Sequence, residues 1–122
     1  MTTVLLIEDN KDIRENTEEL LILRGFRVVS AVNGKSGLEL AREEGPDIIL
    51  CDIMMPEVDG YRVLTELRQN PETSSIPFIF LTASVERKEV EKAFGMGVQG
   101  YIRKPFADSE LFDTIAACLN RK

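Results

Sequence analysis

Histidine is absent from the 122 residues. With it go histidine-based catalytic triads, imidazole metal ligands and any part as a phosphohistidine carrier. Cysteine is scarce. Cys51 and Cys118 lie far apart in apolar surroundings, which predicts two buried free thiols rather than a disulfide or a metal pair and fits a reducing cytoplasm. Basic residues are outnumbered, 15 Lys and Arg against 21 Asp and Glu for a net charge of −6. No basic stripe is left to neutralise phosphates, so direct nucleic-acid binding is not expected. No apolar run approaches the roughly 18–20 residues of a membrane span. The opening Met-Thr-Thr brings neither a basic n-region nor a long apolar h-region, so no membrane association is expected. What remains has an ordinary globular composition and a length that predicts a single domain over residues 1–122.

The chain reads as strand then helix, five times over. Val4–Ile7 is a short apolar strand ending at Glu8-Asp9. Lys11–Arg24 is a helix with Ile13, Thr17, Leu20 and Leu21 on one face and Gly25 as its stop. Phe26–Ala31 is the second strand. Asn33-Gly34 opens a helix running to Glu44, with Leu38, Leu40 and Ala41 inward, and Gly45-Pro46 ends it. Ile48–Cys51 is apolar on both faces, as a strand buried in a parallel sheet should be, and it stops at Asp52. A helix over Tyr61–Gln69 follows the turn at Asp59-Gly60. Ile76–Leu81 is the fourth strand, with Pro77 confined to its start. Val85–Met96 is a charged helix with a thin apolar face of Val90, Ala93 and Phe94. Tyr101–Arg103 is the fifth strand, and Asp108–Asn120 the last helix, with Leu111, Ile115, Ala116 and Leu119 inward. Such alternation predicts an α/β fold, a parallel sheet with right-handed crossovers and helices on both faces.

In a parallel sheet the C-terminal ends of the strands share one edge, where ligands bind. Here those ends carry Glu8-Asp9, Asp52, Thr82 and Lys104. Each has a plain reading alone: a helix cap at Asp9 or Asn10, a strand-end threonine, a solvated lysine. Together they are three carboxylates, a hydroxyl and a cation. Crowded carboxylates raise one another's pKa values and become tolerable around a hard divalent cation such as Mg²⁺. Acids, a metal, a hydroxyl and one lysine are what phosphoryl transfer needs, and a carboxylate can be its nucleophile. Asp52, central and directly after the most buried strand, is the candidate nucleophile.

The residues Glu8-Asp9, the stretch from Asp52 through Met54-Met55-Pro56 to Asp59-Gly60, Thr82-Ala83 and Lys104-Pro105-Phe106 resemble the receiver domain of two-component response regulators, over essentially the whole chain. The resemblance implies a flavodoxin-like, doubly wound (βα)5 sheet of order 2-1-3-4-5. It implies Asp52 as acceptor of a phosphoryl group from a sensor histidine kinase or a phosphotransfer protein. Asp9, Asp52 and the backbone carbonyl of Met54 are the implied Mg²⁺ ligands, with Glu8 acting through water. Thr82 is implied to bind the phosphoryl group and shift on activation, Lys104 to pair with a phosphoryl oxygen across a cis Lys104-Pro105 bond, and Tyr101 to switch rotamer with Thr82. The other reading of Tyr101 is a half-buried strand aromatic.

Met54 and Ser84 occupy the two positions that tune phosphoryl lifetime in the family. Met54 has no polar group to orient a water, which predicts slow self-dephosphorylation. Val98 stands where the family often has alanine, so packing at the exit of the fourth helix is expected to differ. The surface of the fourth helix, Tyr101 and the last helix is the implied output face toward an effector domain or downstream protein, and it also suits a homodimer. The whole describes a cytoplasmic signalling domain rather than a turnover enzyme. Three rivals stand beside it. A phosphohydrolase with an aspartate nucleophile usually has a second acid where Met54 lies. A flavin module needs a hydroxyl- and glycine-rich loop where Glu8-Asp9-Asn10-Lys11-Asp12 lies. A receiver-like interaction domain would never be phosphorylated.

Overall fold

A computed structural model describes residues 1–83 and 86–120. Its elements alternate throughout: β1 Thr3–Ile7, α1 Lys11–Leu23, β2 Arg27–Ala31, α2 Gly34–Glu44, β3 Ile48–Asp52, α3 Gly60–Gln69, β4 Phe78–Thr82, α4 Arg87–Gly95, β5 Gly100–Arg103 and α5 Asp108–Leu119. All strand pairs are parallel, and their order is β2-β1-β3-β4-β5, as the resemblance implied.

The period-two alternation of strand side chains divides the core into two layers. Leu5, Ile7, Ile49, Cys51, Phe78 and Phe80 face α2, α3 and α4, where they meet Leu38, Ala41, Leu64 and Ala93. Val4, Leu6, Ile48, Leu50, Ile79 and Leu81 face the other way, onto Leu21 of α1 and Leu111, Ile115 and Cys118 of α5. Both cysteines are buried free thiols, and burial pushes the Cys51 thiol well above its ordinary pKa. Val98 takes a buried place in the α4 layer.

Local chemistry sets the helix boundaries. Asn10, Asn33 and Asp59 each accept a backbone N–H of the helix they precede, from Ile13, Ser36 and Arg62. Asn10, not Asp9, is therefore the cap of α1. Gly45 ends α2 in the left-handed region, at φ 52°. Most boundaries fall within two residues of expectation; Val85, assigned to the fourth helix from the sequence, lies outside the described residues.

Two inward assignments are corrected. Phe94 is half exposed, because α4 turns Ala93, a side chain small enough for close approach, onto the core. In α5 it is Phe112 and Cys118 that are buried with Leu111 and Ile115, while Ala116 faces out. The helix is rotated so that the stripe 111, 115, 118 meets the sheet.

Away from the strand ends that carry the acids, one side chain ties several segments together. Arg68 at the end of α3 donates to the carbonyls of Ser74 (3.0 Å), Ile76 (2.8 Å) and Gly97 (3.5 Å) and to the side-chain carbonyl of Gln99 (3.1 Å). That same Gln99 oxygen accepts from the backbone N–H of Phe78 at 2.8 Å.

A carboxylate cluster at the strand ends

Glu8 follows β1, whose every residue is buried, and its own side chain is fully buried. A charge so placed must be paired. Lys104, after β5, donates from Nζ to Glu8 Oε1 at 2.8 Å, and the backbone N–H of Asn10 donates to Oε2 at 3.2 Å. The carbonyl of Glu8 is held in turn by Arg14 Nη1 at 3.0 Å. The one sequence signal for Arg14 is a cation three residues before Thr17, on the inward stripe of α1.

Asp52 ends β3 and is 6 % exposed. Its Oδ1 lies 3.4 Å from Lys104 Nζ. Burial, and next the Glu8 carboxylate beside it, push its pKa up to about 7; Lys104 pulls the other way and offsets only part of the rise. Gly60 allows α3 to begin hard against this residue: a Cβ there would sit 2.5 Å from the Asp52 carbonyl oxygen. The Gly60 N–H then reaches the Ile53 carbonyl at 2.9 Å.

Asp9 is exposed, yet Glu8, Asp9 and Asp52 each bring one oxygen within 4.8 Å of the others. Thr82 ends β4, buried, and its carbonyl accepts the Lys104 N–H at 2.7 Å, so main chain joins the threonine to the lysine. The Lys104-Pro105 bond is cis. Met54 projects into solvent, 75 % exposed. Tyr101 is half buried on β5 opposite Phe80. The fold thus gathers Glu8, Asp9, Asp52 and Lys104 into one crevice with Thr82 at its wall. Ser84 lies outside the described residues.

Burial first, and then the neighbouring Glu8 carboxylate, make Asp52 hold its proton so high, and the single lysine offsets only part of this. A donor set of carboxylate oxygens this close together suits a hard dication. Both Glu8 oxygens are already engaged, so Asp9 and Asp52 are the more available ligands.

A comparison with protein-family models matches residues 4–116 to the response regulator receiver domain. The chain belongs to this family. Among curated proteins, the receiver domain is 42% identical over 112 residues to probable transcriptional regulator ycf29 of Pyropia yezoensis, covering 92% of this chain and 50% of that protein. It is 38% identical over 121 residues to the transcriptional regulatory protein AfsQ1 of Streptomyces coelicolor, covering 99% and 52%. The chain spans about half the length of these curated relatives. Among solved structures it is similar to the receiver domain of the sensor histidine kinase PA1611 from Pseudomonas aeruginosa, which has a magnesium ion coordinated in its active-site cleft. That match has a TM-score of 0.91 and 29% identity and covers 98% of each chain. The receiver domain is a signalling module of two-component systems, whose response regulators work with histidine kinases and effectors. No helix among the described residues is long and apolar enough to cross a membrane.

Proposed function

We propose that this receiver domain, a single domain over residues 1–122, takes a phosphoryl group onto Asp52 from the phosphohistidine of a sensor histidine kinase or phosphotransfer protein. The observation that carries the reading is Lys104 Nζ, set between Glu8 Oε1 and Asp52 Oδ1 with Asp9 alongside. A carboxylate oxygen of Asp52 forms a bond to phosphorus as the phosphorus–nitrogen bond to the donor imidazole breaks. Asp9, Asp52 and the Met54 carbonyl would hold Mg²⁺, and Glu8, with both oxygens engaged, acts on it through water. The ion supplies positive charge for the phosphoryl oxygens.

Lys104 can turn from Glu8 to a phosphoryl oxygen within the same crevice, since its backbone is pinned to Thr82. The Thr82 hydroxyl binds a second phosphoryl oxygen, and Tyr101 changes rotamer as Thr82 moves. The altered face of α4, β5 and α5 then meets an effector domain or downstream protein, or a second copy of the chain, in the cytoplasm. The exposed Met54 brings no acid to protonate a leaving group, which favours a phospho-acceptor over a turnover phosphohydrolase.

Intact mass after incubation with acetyl phosphate and Mg²⁺ tests the reading. One phosphoryl adduct is expected on the wild type, dependent on Mg²⁺ and absent from Asp52→Ala. No adduct on the wild type, together with no binding of beryllofluoride, would leave a receiver-like scaffold that acts by constitutive contact.

A further inference from the structure

α4 is weakly packed. Of its nine residues only Ala93 is buried, and its N-cap residue, Glu86, makes no capping bond with its side chain. A side chain of α3 reaches across to its polar side. Tyr61, the second residue of α3, donates its hydroxyl to Glu89. Lys92 Nζ sits 4.0 Å above the centre of the Tyr61 ring. Glu89 and Lys92 are three residues apart, so they lie on the same side of the helix and close on the phenol from two directions. The geometry of this pairing is specific to tyrosine: phenylalanine keeps the ring under the lysine and loses the bond to the acid. Burial, and then the Glu89 carboxylate, raise the Tyr61 phenol above its ordinary pKa.

The other end of Tyr61 is fixed to the acceptor. Its neighbour Gly60 packs directly on the Asp52 carbonyl and donates to Ile53. The ring stands edge-on to Phe80 of β4 at 5.3 Å, two residues before Thr82. Met54, Tyr61, Thr82 and Glu89 line one cavity of about 640 Å³ beside the carboxylate cluster. A single rigid aromatic therefore spans from the main chain of the acceptor loop to the helix that buries least.

We propose that Tyr61 is a tether that holds α4 in its unphosphorylated position and lets go when the acceptor site is occupied, joining acceptor and output face through α3 as well as through β4 and β5. The release step rests on Asp52 being the phospho-acceptor; the tether itself does not. Hydrogen bonds and cation–π contacts at a half-exposed site are modest in strength, which suits a contact that must break on signalling.

Hydrogen–deuterium exchange over residues 87–95 tests both halves. In the metal-free, unphosphorylated protein, Tyr61→Phe is expected to speed exchange of this segment about three- to ten-fold, with α1 and α5 unchanged. Glu89→Ala should do the same, and the double variant should add little, because both remove one bond. Beryllofluoride with Mg²⁺ should speed exchange of the same segment in the wild type and far less in Tyr61→Phe. Equal exchange in wild type and Tyr61→Phe, or an increase spread over the whole domain, overturns the tether. A wild-type adduct at Asp52 that leaves residues 87–95 unchanged overturns its release. If no adduct forms while Tyr61→Phe still loosens α4, the tether stands and the phospho-acceptor reading falls.

Discussion

Replacing Asp52 by asparagine should make the metal-free protein more stable, although it removes a partner of Lys104. The folded state holds the Asp52 pKa near 7, against 3.8 for an ordinary aspartate. Between those values the folded protein keeps a proton that the unfolded chain has lost. Stability from this group is therefore greatest below about pH 4, falls as pH rises, and reaches its full deficit above about pH 7. At about 1.4 kcal/mol for each tenfold change in proton affinity, the deficit comes to somewhat over about 4 kcal/mol. The carboxylate opens on a solvated crevice, and screening reduces the figure to roughly 2 kcal/mol. Asparagine keeps the shape without the charge, so Asp52→Asn should recover most of it. Thermal unfolding in chelator at several pH values measures this, with a melting-temperature gain of about 8 °C expected near pH 8. The gain should shrink steadily toward pH 4, where the native aspartate is itself neutral. Saturating Mg²⁺ should stabilise the wild type and narrow the difference. Asp52→Asn no more stable than wild type at pH 8, or a gain independent of pH, would refute the electrostatic account of the cluster.

The same proton should appear in metal binding: calorimetry in buffers of differing ionisation enthalpy should show about one proton released per Mg²⁺ near pH 6 and almost none near pH 8.5, with affinity weakening below pH 7; equal release at both would contradict it. Lys104→Met leaves Glu8 fully buried without its cation and should cost roughly 3 kcal/mol in denaturant unfolding, and a loss below about 1 kcal/mol would mean that water reaches Glu8. Met54→Asn places a polar group where the exposed methionine stands and should shorten the phosphoryl lifetime several-fold in a time course of intact mass. An unchanged lifetime would show that this position does not limit water attack.

The alternation of strands and helices was legible because its cues are local, whereas the strand order came only with the family resemblance. Continuous apolar strands such as Ile48–Cys51, the caps Asn33 and Asp59, and the stops Gly25 and Gly45 each act within a few residues. The carboxylate cluster was legible one level higher, since topology alone brings the ends of parallel strands together, and Glu8, Asp9, Asp52, Thr82 and Lys104 are all strand-end residues. What escaped were cross-element pairings. Nothing near Tyr61 in sequence announces Glu89, and Arg14 and Arg68 resemble ordinary helical cations until their carbonyl partners arrive from other segments. The inward assignments of Phe94 and Ala116 failed for a related reason. Alanine says little about which way a helix faces, and on α4 the close approach belongs to Ala93, which displaces its larger neighbour to solvent.

Once the Tyr61 contact is released, the knot of bonds around Arg68 would make α4 a lever with one fixed end. The guanidinium reaches Gly97 and Gln99 just past the helix terminus, while the opposite end, near Glu89, is held by the Tyr61 contact. A nine-residue helix is about 13 Å long. With the far end pinned, a displacement of about 2 Å at the near end becomes a rotation of about 9° rather than a translation. Motion begun beside the carboxylates would thus fan outward along the helix, largest close to the site and smallest at the Gly97 turn. A partner reading this surface would sense an angle, not a distance.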